Sequence, residues 1–262
     1  MTIDPKTIQY HGDALYDAFV TRSTLPPLRD RVEGLTIEDA YHIAARMVQR
    51  RVDAGERIIG KKIGVTSKAV QDAIGVFEPD FGQLTSGMAF DDGAVIELDS
   101  LIQPQAEAEI AFILKSDLSG PGITPDDVLR ATDHVRCCFE IVDSRIQRWD
   151  IKILDTVADN ASCGVFVLGH DKVDPREVDL ALAGMVVLKN GELASTGVGA
   201  AVQGSPLNSV AWLADTLGRL GVPLLAGEVV LSGSLGPLVS VDRGDSLEMK
   251  VLGIGSCSLR FA

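Results

Sequence analysis

The sequence predicts an α+β fold, with a small helical N-terminal region followed by a β-rich domain of mixed or antiparallel sheets. Two observations carry this. Apolar residues recur at helical spacing through the first sixty positions, and from about Ile58 the texture changes to short apolar runs punctuated by glycine. The runs are irregularly spaced with few helical stretches between them, which argues against a doubly wound parallel sheet. The expected division is residues 1–57, helical, and 58–262, a β-rich catalytic domain.

The helices come first. Leu15, Phe19 and Val20 share a stripe in a helix from about Gly12 to Arg22, and Pro26-Pro27 ends anything helical before it. Thr36 is an N-cap with Asp39 at N3, opening a helix to about Ala54 in which Ile37, Tyr41, Ala44, Met47 and Val48 repeat. Further helices are expected near Ser67–Ile74, after the Thr124 cap with Pro125 at N1, and over Leu207–Leu220 before Gly221. Strands are expected at Ala94–Leu98, Ala108–Leu114, Cys138–Val142, Gly164–Leu168, Met185–Lys189, Val229–Leu231, Ser246–Leu252 and Ser256–Phe261.

Composition removes whole classes of function. Lys and Arg number 24 against 37 Asp and Glu, a net charge of −13, which argues against a nucleic-acid backbone binder. No apolar run approaches the ~20 residues that span a bilayer. The opening MTIDPKTIQYHGD is polar and lacks a signal-peptide layout, and the four cysteines show no CxxC spacing. A reduced cytoplasmic setting with buried thiols is expected. Four histidines without an HExxH pattern leave little room for zinc. Gly197-Val198-Gly199 lacks a third glycine in register, and Ser232-Gly233-Ser234-Leu235-Gly236 has serine where a nucleophile elbow needs glycine.

The strongest chemical signal is Gln105-Ala106-Glu107-Ala108-Glu109-Ile110, continuing into Ala111–Leu114. On a strand Glu107 and Glu109 project to one side. They could be solvated residues of a half-exposed strand. At the mouth of a buried strand they would instead repel, by ~4 kcal/mol at 4 Å for an effective dielectric near 20, unless a divalent cation or a shared proton intervenes. Oxygen ligands favour Mg²⁺ or Mn²⁺. Glu140, inside the apolar run Cys138–Val142, needs a partner as well; an internal salt bridge, for instance to Arg145, is the plain alternative. Lys62 lies between glycines in Gly60–Ser67, suited to anionic substrate oxygens or to solvent, and Thr66 and Ser67 are natural N-caps. Asp155–Gly164 reads as a dense polar loop ahead of a strand.

These stretches also carry a resemblance. GKKIGVTSKAVQ, PDFGQLTSGM, IQPQAEAEIAFIL, FEIVDSRIQ, DTVADNASCG, GSPLNSVAWLA and LSGSLGPL together resemble the 2-hydroxypenta-2,4-dienoate hydratases of aromatic meta-cleavage catabolism, in the fumarylacetoacetate hydrolase-like superfamily. The resemblance runs in order from about Tyr41 to Phe261. It implies that Glu107, Glu109 and Glu140 hold one Mg²⁺ or Mn²⁺, that Lys62 and Asp80 transfer protons, and that Ser162 and Thr66 contact the substrate. Gln105 departs from the Arg or Lys that relatives often carry there. The resemblance further implies a homo-oligomer, pentameric or decameric, and a possible complex with 4-oxalocrotonate decarboxylase. That decarboxylase activity, or a catalytically silent subunit of such a complex, is the alternative.

Overall fold

The computed structural model describes residues 3–68, 71–72, 76 and 78–262. Half of the helix expected at Ser67–Ile74, positions 69, 70, 73 and 74, therefore lies outside the described residues.

The chain opens with two helices packed side by side and running in the same direction, α1 (Pro5–Thr21) and α2 (Ile37–Asp53), so that Asp13 faces Arg46, Asp17 faces Arg50 and Phe19 faces Arg51. Helix α1 starts seven residues earlier than the stripe suggested, because Pro5 at N1 is preset for a helix start. Helix α2 begins with the full Thr36/Asp39 capping box. Gly12 is where the helices meet most closely: a Cβ there would stand 2.8 Å from the Ile43 carbonyl and 2.6 Å from the Arg46 side chain. Asp13 then takes hydrogen bonds from Arg46 (2.8 Å) and Arg50 (2.9 Å). The apolar faces, with Leu15, Ile43 and Met47, bury against Val157 and Ala158 of the short helix Ile153–Ala158.

The larger sheet contains β1 (Ile58–Gly64), β2 (Asp80–Thr85), β3 (Ala89–Asp91), β5 (Pro104–Leu114), β6 (Thr132–Asp143), β7 (Cys163–Leu168), β10 (Val229–Leu231) and β11 (Val239–Ser240). Its order is β2-β1-β10-β5-β6-β7-β3, with β11 added alongside β5. The β1–β10 and β3–β7 pairs are parallel; β1–β2, β10–β5, β11–β5, β5–β6 and β6–β7 are antiparallel. The smaller sheet is ordered β4 (Ala94–Ile96), β13 (Gly255–Phe261), β12 (Ser246–Val251), β8 (Gly184–Lys189), β9 (Glu192–Val198). Both sheets are mixed, and the α+β expectation holds. Strands β1, β2, β3, β9 and β11 were not anticipated. Lys-Lys, Asp and Gly-rich sequences are poor strand formers alone, and here pairing with neighbours overrides propensity.

Alternation along the central strands separates the two faces of the large sheet. Ala106, Ala108, Ile110 and Phe112 of β5, with Cys137, Phe139 and Ile141 of β6, point into the main core. There they meet Met185, Val187, Leu247, Met249 and Leu259 of the smaller sheet. The helices α3 (Pro125–Ala131) and α5 (Pro206–Arg219) join the same core through Val128, Val210, Leu213 and Leu217. On the opposite face Ala111, Cys138, Cys163, Phe166 and Leu231 form a smaller apolar cluster. The odd-numbered glutamates of β5 fall on that second face.

The segment expected as a polar loop, Asp155–Gly164, is mostly ordered structure. Ile153–Ala158 forms helix α4, whose capping acid Asp155 also pairs with Arg29 of the N-terminal region. Asn160, Ala161 and Ser162 then follow in succession with φ of 54°, 52° and 52°, before β7 begins at Cys163. The polarity that suggested a loop in fact serves a helix cap and a left-handed turn.

Candidate active site

Register assembles the site. Within the β5–β6 pair Glu107 lies directly opposite Glu140, and Glu109 opposite Cys138. All three carboxylates thus share one face, with ligand atoms within 4.8 Å of one another. On β1, Lys62 pairs with Gly82 on one side and Leu231 on the other, so it reaches the same face. Its Nζ lies 3.3 Å from Glu140 Oε1, with the lysine 3% and the glutamate 1% exposed. The solvated-lysine reading is excluded, and the alternative Glu140–Arg145 pair does not form. Glu140 belongs to Lys62, while Arg145 lies past the strand's end and pairs with Asp159.

Burial and mutual repulsion set the protonation of the cluster. Desolvation, then the Glu140 charge, pushes Glu107 up to about 7. Desolvation, with the Glu140 and Glu107 charges, raises Glu109 well above the carboxylate range. Burial raises Glu140 despite the opposing Lys62 charge. For Lys62, burial alone would lower the pKa, but the surrounding acids, Glu140 foremost, outweigh it and keep the ammonium charged.

Hydrogen bonds do not relieve the carboxylates. Gly233 N–H donates to Glu109 Oε2 at 2.8 Å, yet Glu109 Oε1 and both Glu140 oxygens are buried without a hydrogen-bond partner. The lysine contact is an ion pair that lacks hydrogen-bond geometry. Buried acceptors of this kind are costly unless something else satisfies them. Three clustered carboxylates with free lone pairs are the donor set of a hard divalent cation, so these residues fit Mg²⁺ or Mn²⁺.

A pH consequence follows. Without a cation the folded chain holds more protons on these glutamates than the unfolded chain does. Its stability is therefore present at low pH and declines as pH rises from the ordinary Glu range through about 7. Thermal midpoints of chelator-treated protein, taken between pH 5 and 8, are expected to fall. Each kcal/mol lost is worth about 2–4 °C at this chain size. Added Mg²⁺ or Mn²⁺ should flatten the curve, since the ion replaces the protons. A midpoint that climbs with pH in the chelated protein would contradict this assignment.

Asp80 begins β2 opposite Gly64 and is 1% exposed. Thr156 Oγ1 donates to its Oδ2 at 3.0 Å. Burial raises its pKa, against the pull of Lys62. Gly64 has to be glycine: a Cβ would sit 2.2 Å from Asp80 Oδ1 and 3.5 Å from Lys62 Nζ. Thr66 is buried against Gly233, whose φ is 107° and whose Cβ would fall 2.3 Å from Thr66 Oγ1. Ser162 is buried too, and its hydroxyl donates to Asp159 Oδ2 at 3.4 Å. Lys62, Glu107, Glu109 and Glu140 are thus brought together, with Asp80 and Thr66 flanking them, while Ser162 is engaged with the Arg145–Asp159 pair.

That pair is the largest feature the sequence did not disclose. Arg145, 1% exposed, bonds the Asp159 carboxylate and the carbonyls of Asp143, Asp159 and Cys163. Asn160 pairs in both directions with the main chain of Gln83 on β2, at 2.8 and 2.9 Å. These bonds over-determine three left-handed residues that would otherwise be strained, and they tie the turn to the strand that carries Asp80.

Comparison with known proteins places this geometry. The family model described as fumarylacetoacetate (FAA) hydrolase C-terminal matches residues 65–262, well over half of the chain. The chain belongs to the fumarylacetoacetate hydrolase family. Within that family it is similar to a 2-hydroxyhexa-2,4-dienoate hydratase of Comamonas testosteroni, 56% identical over 98% of each chain. It is also similar to a 2-hydroxypent-2,4-dienoate hydratase of Pseudomonas putida, 61% identical over 84% of this chain and all of the relative. Among solved structures of the family, 4-oxalocrotonate decarboxylase from Pseudomonas putida G7, complexed with magnesium and adipate, superposes with a TM-score of 0.96. It is 34% identical and covers 100% of this chain and 99% of its own.

Proposed function

We propose that this chain is a metal-dependent hydro-lyase that adds water to 2-hydroxypenta-2,4-dienoate, giving 4-hydroxy-2-oxopentanoate, in the catabolism of aromatic meta-cleavage products. The observation that carries the reading is the buried Glu107–Glu109–Glu140 cluster with its unsatisfied oxygens, set beside a charged Lys62. The names of the similar hydratases supply the substrate class.

Glu107, Glu109 and Glu140 would hold Mg²⁺ or Mn²⁺, the former as in the magnesium-complexed decarboxylase structure. When bound, the ion supplies Lewis acidity toward the 2-oxygen and carboxylate of the substrate. Hydration requires a proton at C5, giving a conjugated 2-oxo-3-enoate, then water at C4 and a proton at C3. Lys62, charged and desolvated, stabilises negative charge developing on the enolate oxygen or relays its proton. Asp80, buried and biased toward its protonated form, takes and returns protons. Thr66 and Ser162 contact the substrate.

The test follows the ultraviolet absorbance of the dienol. Turnover should disappear with EDTA and return with Mg²⁺ or Mn²⁺, while 4-oxalocrotonate should not be consumed. Consumption of 4-oxalocrotonate in place of the dienol would establish the decarboxylase reading, the activity named for the solved structure that superposes with a TM-score of 0.96. Turnover of neither with metal bound would indicate a silent subunit. Lys62→Ala should lower kcat with metal still bound; unchanged turnover would remove Lys62 from the chemistry.

The reading extends to a homo-oligomer, a pentamer or decamer, able to associate with 4-oxalocrotonate decarboxylase. Exposed Leu220, Val222 and Leu225 beside Ile37 and Ile58, around a groove between α2 and α5, support an apolar contact surface. Four buried, unpaired cysteines support a cytoplasmic location. No helix among the described residues is long and apolar enough to cross a membrane.

A further inference from the structure

We infer that Thr156 is a positioning residue for the hydration reaction, acting through Asp80; this rests on the reading of Asp80 as the group that moves protons. The argument is geometric. Asp80 Oδ2 accepts the Thr156 hydroxyl at 3.0 Å, with the threonine 4% and the aspartate 1% exposed, so water does not substitute for this bond. Oδ1 is set against Gly64, where a Cβ would stand 2.2 Å from it. The N–H groups of Gly64 and Asp80 are also directed at the carboxyl group. Main chain on one side and a single hydroxyl on the other fix the plane of the carboxyl beside Lys62. Thr156 is the only side chain that donates to it among the described residues.

The donor is itself held. Thr156 is β-branched and lies in helix α4, where its χ1 choices are few. The helix is pinned at its N-terminus by Asp155, which accepts from Lys152 N–H at 3.0 Å and pairs with Arg29. The hydroxyl is thus delivered to Asp80 from a rigid element. A purely structural threonine would need no particular partner oxygen, and valine would serve as well for packing. Here valine would leave a fully buried carboxyl oxygen without its donor and let the group rotate.

Thr156→Val, Thr156→Ser, Gly64→Ala and Asp80→Asn should be compared in the full-length, metal-loaded protein, reading kcat, KM and Mn²⁺ affinity. Thr156→Val should lose about 10–100-fold in kcat, the range for losing an orienting hydrogen bond at an active site, with KM and Mn²⁺ affinity unchanged. Thr156→Ser should restore most of the loss. Gly64→Ala, which displaces the carboxyl from the other side, should repeat the kcat loss and keeps the inference testable if Thr156→Val does not fold. If Asp80→Asn is inactive while Thr156→Val turns over normally, or if Thr156→Ser fails to rescue, the positioning role is overturned and the role of Asp80 stands. If Asp80→Asn itself retains full turnover, the role of Asp80 falls, and the inference with it.

Discussion

Glu140→Gln should weaken Mn²⁺ binding by more than about 100-fold, beyond what loss of an outer-shell partner costs, and turnover should fall with it. Glutamine offers one neutral acceptor where two anionic oxygens now stand free. The substitution also strands Lys62, whose buried ammonium pairs with Glu140. Glu109→Gln separates the two effects. It too should cost metal affinity, but it removes like-charge repulsion without stranding the lysine. Metal-free Glu109→Gln is therefore expected to melt higher than the unaltered protein at pH 8, and metal-free Glu140→Gln is not. Calorimetric Mn²⁺ titration and thermal melts check both, and equal Mn²⁺ affinity in all three proteins would refute the ligand assignment.

The largest stability effect should come from Arg145. Arg145→Met leaves the Asp159 carboxylate buried without its counter-charge and three carbonyls without their donor. Breaking a buried pair from one side costs about 3–5 kcal/mol. At about 2–4 °C per kcal/mol the melting midpoint should fall by roughly 6–20 °C. Because the same network holds the left-handed turn that carries Ser162, a KM increase should accompany the loss. Arg145→Met combined with Asp159→Leu should recover part of the stability, since no charge is then left unpaired. A midpoint within 2 °C of the unaltered protein, about what a surface substitution gives, would show that the network carries little.

The candidate site was partly legible beforehand. Glu107 and Glu109 could be placed on one side of a strand because β alternation is local. Their meeting with Glu140 was implied only by the family resemblance and was not readable from the residues themselves, since it depends on a β5–β6 register closed across about thirty residues. Arg145, close by in sequence, was the plain alternative partner for Glu140, but the structure gives it Lys62 from β1, three positions away in the sheet. Thr156 and Arg145–Asp159 carried no sequence signal stronger than polarity near a turn. Gly64 did carry one, as the second glycine around the lysine pair, but its reason is visible only when Asp80 arrives against it.

The sequence by itself determined the α+β class, the capped helices, the strand with paired glutamates and the resemblance that names the chemistry. These rest on periodicity and short motifs, which act over a few residues. Only the tertiary structure decided which carboxylates share a face, which lysine answers them, and which oxygens remain unsatisfied. Those outcomes depend on strand register and burial, which are properties of the whole packed chain. The physical reason is the same in each case: a charge costs little until distant segments close over it, and only then does its partner matter.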